Sequence, residues 1–237
     1  MTNKVFLITS TINPKFEPFN YKKCRSYFNS QQRLQQTVYT VNNIHALFPE
    51  GKIIIIDSSE NYSEYYSVFR HFNFVEYFSL YSRDNQLCDI VNSHKHKSFC
   101  ETLMLNYFYK TNIEYIKNFD FVFKINGRYF YSNIDKNIFS IENKNKCFFK
   151  GPMTFPWRKP NSNNQYSSAI YSFGSNLLDK FIAINDDIEK TLVDPKYSFL
   201  DLELMFFRYT KILNLQVVET NWKVLGWDGT NGNFVCY

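Results

Sequence analysis

The sequence predicts one α/β domain in which a mostly parallel central sheet is flanked by helices, as in Rossmann-like folds. Short apolar runs alternate with segments of helical length along the chain. The run at 52–57 is aliphatic without interruption, which is typical of a parallel strand covered on both faces. Hydrophobic residues make up 44% of the 237 residues and charged residues 21%, which is a globular composition.

The predicted strands are short runs rich in β-branched or aromatic residues, bounded by polar or turn-forming residues. In chain order these runs are 5–9, 52–57, 73–80, 120–125, 147–150, 167–173 and 215–219. The predicted helices place apolar residues near helical spacing, as Leu34, Val38 and Val41 do in the first, which ends just before Pro49. They are 30–47, 63–71, 98–109, 177–184 and 200–211, and 110–118 is expected to extend the third.

The remaining segments are predicted to be connections within a single domain that spans 1–237. Residues 16–30 lack a clean period, 134–146 are polar and turn-rich, and 151–165 form a long loop with three prolines. No internal repeat and no linker divides the sequence. The strand-helix alternation therefore runs through one continuous unit.

Charge and cysteine usage narrow the class of protein. A net charge of +5 is compatible with an anionic ligand or simply with a mildly basic surface. The basic residues are dispersed and no nucleic-acid motif is present, so a nucleic-acid partner is not expected, although the many aromatic residues keep that alternative open. Five scattered cysteines indicate free thiols in a reducing compartment, and no transmembrane segment or signal peptide is expected. We expect a cytoplasmic protein.

Polar residues follow three of the predicted strands at their carboxyl ends. Thr9 and Ser10 end the first, Asp57 ends the second, and Lys124 to Arg128 end the strand at 120–125. Ligands of parallel α/β sheets bind beyond these ends, so the three groups predict one site. The alternative is that every strand simply ends in a polar loop.

Several segments, in chain order, resemble the GT-A type of nucleotide-sugar glycosyltransferases. VFLITSTIN resembles their first strand, RLQQTVYTVNNIHALFP their first helix, and IIIIDSSENYSE their second strand with its acidic turn. HKHKSFCETLMLNYFY, FDFVFKINGRYF and FLDLELMFFR resemble a helix, the strand of the metal-binding motif and a late acidic helix. More narrowly, the combination of ITS near the start, KS-x-x-E at the start of a helix and KINGRYF resembles glycosyltransferase-like proteins of bacterial surface-polysaccharide loci and large viruses. The resemblance implies that 1–133 bind the nucleotide sugar and that 134–237 face the acceptor.

The chain departs from these enzymes where they carry the Asp-x-Asp metal motif. Here the strand end offers Lys124, Asn126, Gly127 and Arg128, with no carboxylate for a hard divalent cation. We expect Lys124 and Arg128 to supply positive charge directly to the diphosphate, and Gly127 to let the backbone approach it. No divalent metal and no cofactor beyond the nucleotide-sugar donor are then expected. The alternative is that Arg128 pairs with a structural carboxylate and Gly127 only makes a turn.

Other residues are expected around the donor. Lys97 precedes Ser98 and Glu101, a spacing that predicts a capping box, and the helix start is also a suitable place for an anion. Asp57 is expected to accept hydrogen bonds from the base or ribose, or alternatively to form an Asx turn with Ser59. His94 is a weaker candidate for a donor contact, since a loop histidine is more often merely exposed.

Sugar transfer with inversion needs a carboxylate that takes the proton of the acceptor hydroxyl. Asp201 is the first candidate for this base, because it lies near the start of a predicted helix, and Glu203 is the second. The alternative for both is that they complement the helix dipole. Further substrate contacts are expected from aromatic and charged residues of the late loops and from one strand: Trp157, Arg158, Tyr171, Trp227 and Asp228.

These patterns together predict an inverting, metal-independent glycosyltransferase. Its expected partners are a nucleotide sugar and a glycan or glycolipid acceptor, with peripheral membrane contact possible. Since the metal motif is missing, a catalytically silent binding module on the same fold stays the alternative function.

Overall fold

A mixed seven-stranded sheet forms the centre of the fold in a computed structural model, which describes residues 2–15, 25–154, 164–197, 200–229 and 231–236. The described strands are β1 (Lys4–Ser10), β2 (Lys52–Asp57), β3 (Val75–Ser79), β4 (Phe121–Asn126), β5 (Tyr129–Asn133), β6 (Lys146–Lys150), β7 (Met153–Thr154), β8 (Asn164–Gln165), β9 (Ile170–Gly174), β10 (Gln216–Thr220), β11 (Lys223–Trp227) and β12 (Phe234–Cys236). The described helices are α1 (Ser30–Leu47), α2 (Tyr62–Phe69), α3 (Leu80–Arg83), α4 (Asn85–Ser93), α5 (Lys97–Thr111), α6 (Ile113–Lys117), α7 (Leu178–Leu192) and α8 (Leu202–Ile212).

The strand order of the central sheet is β10-β6-β9-β4-β1-β2-β3. Strand β9 runs antiparallel to β4 and β6, and the other described neighbours are parallel. The predicted fold class is therefore confirmed. Two smaller sheets, β12-β11-β5 and β7-β8, lie beside it.

Helices cover both faces of the central sheet. Along β1, Val5 and Leu7 belong to one core cluster, whereas Phe6 and Ile8 belong to the other. The first cluster packs under α5, α7 and α8, and the second under α1, α2 and part of the β12-β11-β5 sheet. Burial on both faces explains why the central strands read as uninterrupted apolar runs.

The register of the parallel strands brings their carboxyl ends to one edge. Thr9 of β1 is paired with Asn126 of β4, and Ser10 is paired with Asp57 of β2. The chain then leaves β4 through Gly127 and Arg128 and enters β5, which pairs with β11 in the second sheet. Arg128 thus lies at the junction between the two sheets.

Most predicted elements are present, and the bounds of α1 and β2 agree with the prediction. The expected extension of α5 is wrong, because α5 ends at Thr111 and α6 begins separately. At this break the side chain of Asn112 donates to the carbonyl of Phe108 at 2.9 Å and competes with helix propagation. Among the described helices and strands, the prediction missed seven: α3, α4, β5, β7, β8, β11 and β12.

Candidate functional site

A cleft lies beyond the carboxyl ends of β1 and β4, where the predicted strand-end residues meet. It holds about 810 Å³ of space, counting the part that is open to solvent. Its polar and charged lining consists of Thr9, Ser10, Thr11, Arg25, Arg33, Lys97, Glu101, Asn126 and Arg128. The rest of its lining consists of Pro14, Val91, Cys100, Met104 and Gly229. Five of the residues predicted from the sequence are therefore brought together here: Thr9, Ser10, Lys97, Asn126 and Arg128.

Two arginines of the cleft were missed by the sequence analysis. Arg33 lies on the buried side of α1, is 7% exposed, and donates through Nε to the carbonyl of Thr11 at 2.5 Å. Burial, and then repulsion by Arg128, lowers the pKa of Arg33 to about 9, so it stays cationic at neutral pH. Arg25 donates to the carbonyls of Val91 (3.2 Å) and His94. Arg33 is adjacent to Leu34 and therefore lies about 100° around the helix from the apolar face that the sequence predicted, so no signal marked it. Arg25 lies in a segment without a readable pattern.

Lys124 is not placed as the sequence predicted. Its side chain is completely buried, and its ammonium donates to Glu101, to Oδ1 of Asn126 at 2.5 Å and to the carbonyl of Ser168 at 2.6 Å. An ammonium has three N–H donors, and all three have protein acceptors. Lys124 therefore cannot also donate to a diphosphate, and the expected direct contact is corrected to an indirect role.

Glu101 is the partner that neutralises this buried ammonium. Burial alone raises the pKa of Glu101, but the charges of Lys124 and then Lys97 outweigh it, so the pKa lies below its usual value. The predicted capping box is wrong, because α5 begins at Lys97 and His96 is the residue that caps it, with its Nδ1 accepting from the N–H of Phe99. Ser98 instead accepts from the N–H of Leu202 at 3.2 Å. Lys97 lies in the cleft wall.

The side chain of Asn126 has a fixed orientation. Its Oδ1 accepts from Lys124 and, at 2.7 Å, from the hydroxyl of Thr9. Because both neighbours are donors, the amide oxygen faces them and the amide nitrogen is left to face the cleft. Asn126 thus presents a hydrogen-bond donor, rather than a carboxylate, at this strand end.

Gly127 and Arg128 complete the strand end. A Cβ atom on Gly127 would lie 2.9 Å from Oγ1 of Thr37, so this glycine permits close packing of α1 rather than the expected approach of a ligand. The half-buried Arg128 donates through Nε to the carbonyl of Trp227 at 3.2 Å. Its guanidinium lies against Gly229, where an added Cβ would be 2.9 Å from Cζ. The tail segment 227–229 therefore positions Arg128 in the cleft wall.

Asp57 and Tyr171 do not reach the cleft, contrary to their predicted roles. The carboxylate of Asp57 is fully buried and accepts from Tyr77, from the N–H of Ile12 and from both the N–H and the hydroxyl of Ser59. The turn with Ser59 is the alternative that the sequence had left open. Tyr171 is also fully buried, and its ring packs on Phe149, Phe181 and Phe206 in the core.

The two candidate bases have different environments. Asp201 caps α8, with Oδ1 accepting from the N–H of Leu204 at 2.9 Å. Glu203 is half-buried and accepts from the hydroxyl of Ser168 at 2.5 Å. Burial, followed by repulsion from Asp201, raises the pKa of Glu203 above its usual value. Ser168 links Glu203 to the buried ion pair, because its hydroxyl donates to Glu203 and its carbonyl accepts from Lys124.

The remaining predicted substrate contacts are dispersed. His94 is not among the residues that line the cleft. Its Nδ1 accepts from the N–H of His96, and burial, followed by the charge of Arg25, lowers its pKa. The N–H of Asp228 donates to Asn233 at 2.8 Å within the tail. Trp227 lines a separate cavity rather than the cleft. Trp157 and Arg158 lie outside the described residues.

The donor set of the cleft does not fit a divalent metal. The one carboxylate among the lining residues that the structure describes, Glu101, is ion-paired with Lys124, and the strand end offers an amide and a guanidinium. Within the described ranges, no group of three or more His, Cys, Asp or Glu side chains could hold a metal ion. No helix of the described chain is long and apolar enough to cross a membrane.

Comparisons with known proteins agree with the fold. Neither a protein-family model nor a curated protein matches the chain. A solved structure with similar architecture is that of a protein assigned as a glucose-1-phosphate thymidylyltransferase from Bacillus anthracis, in complex with sucrose. The TM-score is 0.50 at 13% sequence identity, over 95% of this chain and 89% of that one. At this identity the likeness concerns the fold.

Proposed function

We propose that the chain is a glycosyltransferase that transfers a sugar from a nucleoside-diphosphate sugar to a glycan or glycolipid acceptor. The observation that carries the proposal is the cationic cleft at the carboxyl ends of β1 and β4. This is the edge of an α/β sheet at which ligands bind. The proposal extends to metal-independent transfer with inversion at the sugar.

The charge of the cleft supports an anionic ligand. Four of its described lining residues are cationic: Arg25, Arg33, Lys97 and Arg128. Among the same residues Glu101 is the one carboxylate, and Lys124 neutralises it. Guanidinium groups match the oxygen geometry of phosphates, and their charge stabilises a diphosphate as it leaves. In this proposal the arginines, Lys97 and the Asn126 amide take the place of a metal ion.

Glu203 is the better supported of the two candidate bases, although neither Glu203 nor Asp201 is among the described residues that line the cleft. A raised pKa makes its carboxylate a stronger proton acceptor than an exposed one. In the proposed step, the acceptor oxygen forms a bond to the sugar C1 while the bond from C1 to the diphosphate breaks. The proton of the acceptor hydroxyl passes to Glu203, and the electron pair of the broken bond leaves with the diphosphate. Asp201, which is engaged as a helix cap, becomes the second candidate.

The expected division of the chain is consistent with the cleft. All but one of its described lining residues precede residue 134, and the exception is Gly229. We therefore keep 1–133 as the proposed donor-binding half and 134–237 as the acceptor half. The cytoplasmic location and the peripheral membrane contact stay predictions.

Calorimetric titration with UDP, GDP, CMP and dTDP sugars tests donor binding. Arg128→Ala should weaken binding about 10- to 100-fold, because a hydrogen bond to a charged group contributes about 1.5–3 kcal/mol. Arg208→Ala, at an exposed position of α8, is the matched control and should leave the affinity unchanged. Equal effects of the two substitutions, or no binding of any donor, would contradict the proposal.

Product analysis separates the enzyme from the silent module. Transfer or slow hydrolysis of a bound donor in the presence of EDTA supports metal-independent catalysis. Binding without any turnover indicates the silent module. Activity that EDTA removes and manganese restores would disprove the metal-independent part.

A further inference from the structure

A second cavity lies beside the cleft, on the outer side of α1. Its lining is Phe28, Gln32, Gln35, Gln36, Tyr39 and Trp227. Among these described lining residues none is charged, in contrast to the cationic cleft. Three carboxamides and three aromatic rings therefore surround one space.

The aromatic wall of this cavity is rigidly supported. The rings of Tyr39 and Trp227 are perpendicular, with centroids 6.0 Å apart. Phe130 packs on both, at 4.6 Å from Tyr39 and 5.7 Å from Trp227, and Phe234 packs on Trp227 at 5.5 Å. Tyr39 is nevertheless 50% exposed. A large exposed aromatic group on a braced support is typical of a binding surface rather than of a core.

The glutamines supply the polar side of the cavity. Gln36 is only 6% exposed, and its Oε1 has no hydrogen-bond partner among the described residues. The Oε1 atom of Gln32 accepts from the N–H of Asn29, which leaves its amide nitrogen as a donor.

We propose that this second cavity binds a neutral saccharide. A pyranose ring has C–H groups on its faces, which pack on aromatic rings, and hydroxyls around its edge, which both donate and accept hydrogen bonds. Carboxamides likewise donate and accept without adding charge. Tyr39 and Trp227 would pack on the sugar face, while Gln35 and Gln36 would bind its hydroxyls.

The position of the cavity assigns the saccharide to the acceptor, an assignment that rests on the proposed function. It extends the acceptor side into 1–133, because five of the six described lining residues precede residue 134. The tail segment 227–229 is a wall common to both spaces, because Trp227 lines the cavity and Gly229 lines the cleft. The carbonyl of Trp227 also binds Arg128 of the cleft. An acceptor chain held in the cavity would thus extend toward the donor.

Saturation-transfer NMR with a panel of saccharides tests the site. The panel contains di- and trisaccharides of glucose, galactose, mannose and N-acetylglucosamine, with glucuronic-acid analogues for comparison. We expect at least one neutral member to bind, with saturation transferred from aromatic protons. Tyr39→Ala and Gln36→Leu should each weaken that binding at least fivefold. Tyr66→Ala, which truncates a tyrosine of the same 50% exposure on α2, should not change it.

Each outcome decides one of the proposals. No binding by any neutral member, or equal affinity in Tyr39→Ala and Tyr66→Ala, would overturn the saccharide site. Preferential binding of the acidic analogues would overturn its neutral character. Saccharide binding in a chain that binds no nucleotide sugar would reject the proposed function and its acceptor assignment, yet retain the saccharide site. Circular dichroism of each variant identifies any loss of fold, and Tyr39 is exposed enough for its truncation to leave the core closed.

Discussion

Replacing Lys124 with methionine is expected to destabilise the protein by about 3–5 kcal/mol. The substitution leaves Glu101 as an uncompensated carboxylate in a site where its side chain is only 11% exposed. Removing one partner of a buried ion pair costs about this much, because the remaining charge has lost both its solvent and its counter-charge. For a domain of this length, about 1 kcal/mol corresponds to roughly 2–4 °C in Tm. The melting temperature should therefore fall by roughly 6–20 °C.

The pH dependence of this effect has a definite sign. The pKa of Glu101 in the folded protein lies below its usual value. The ion pair therefore contributes fully to the free energy of unfolding at a pH above the pKa that Glu101 has in the unfolded chain. This contribution is lost as the pH falls through the pKa of Glu101 in the folded protein. In Lys124→Met the unpaired, buried Glu101 is instead stabilised by protonation. The difference in stability between the two proteins should therefore shrink as the solution is acidified through the ordinary range of a glutamate and below it.

Urea unfolding, followed by circular dichroism at several pH values, measures both quantities. Lys110→Met is the matched control, since Lys110 forms a 2.5 Å ion pair with Asp186 but is 48% exposed. Exposed pairs contribute about 0–1 kcal/mol. The double variant Lys124→Met/Glu101→Gln should recover part of the loss, because no buried charge remains. If Lys124→Met and Lys110→Met cost the same, Lys124 is not the buried counter-ion that the structure describes.

Three further predictions concern the cleft and its supports. Glu203→Gln should abolish turnover without loss of donor affinity. Asp201→Asn should retain turnover, because asparagine caps a helix as well as aspartate does. Initial rates measure the turnover of the two variants, and calorimetry measures their donor affinity. Turnover of the unmodified protein should fall as pH drops through the raised pKa of Glu203, and a rate that is flat there would exclude Glu203 as the base. Gly229→Ala should displace the guanidinium of Arg128 and weaken donor binding about tenfold, with little change in Tm. Gly174→Ala should instead lower the free energy of unfolding by about 1–3 kcal/mol or more in a melting experiment, because its Cβ would be 1.8 Å from the carbonyl oxygen of Lys144.

Elements whose signal is local were predictable. Helix α1 has the predicted bounds because its helical spacing of apolar residues ends just before Pro49. Strand β2 has the predicted bounds because its uninterrupted aliphatic run ends at Asp57. Strand β12 was also missed, although it pairs locally with β11, as at Trp227 and Phe234. Strands β5 and β11 were not predicted, because their pairing joins residues that are far apart in the chain, such as Tyr129 and Gly226. Only the folded chain brings such partners together.

The edge of the sheet at which the cleft lies was predictable, but the direction of individual side chains was not. Thr9, Ser10 and Asn126 line the cleft because parallel strands place their carboxyl ends together. Asp57 has the same kind of sequence position, yet its carboxylate turns inward to Ile12 and Tyr77. Which way a strand-end residue points depends on distant donors, and a single sequence does not reveal them.

Lys124 explains how a cationic strand end can be built without exposing every charge. Its ammonium is hidden, yet it and the Thr9 hydroxyl fix the Asn126 oxygen, so that a donor rather than an acceptor is left for the cleft. It also neutralises Glu101, which would otherwise oppose the positive charge of Arg33 and Arg128. An asparagine held in this way favours an anion at the position where a carboxylate would favour a metal. The buried ion pair would then set the sign of the ligand without touching it, and Lys124→Met/Glu101→Gln should fold while binding the donor more weakly.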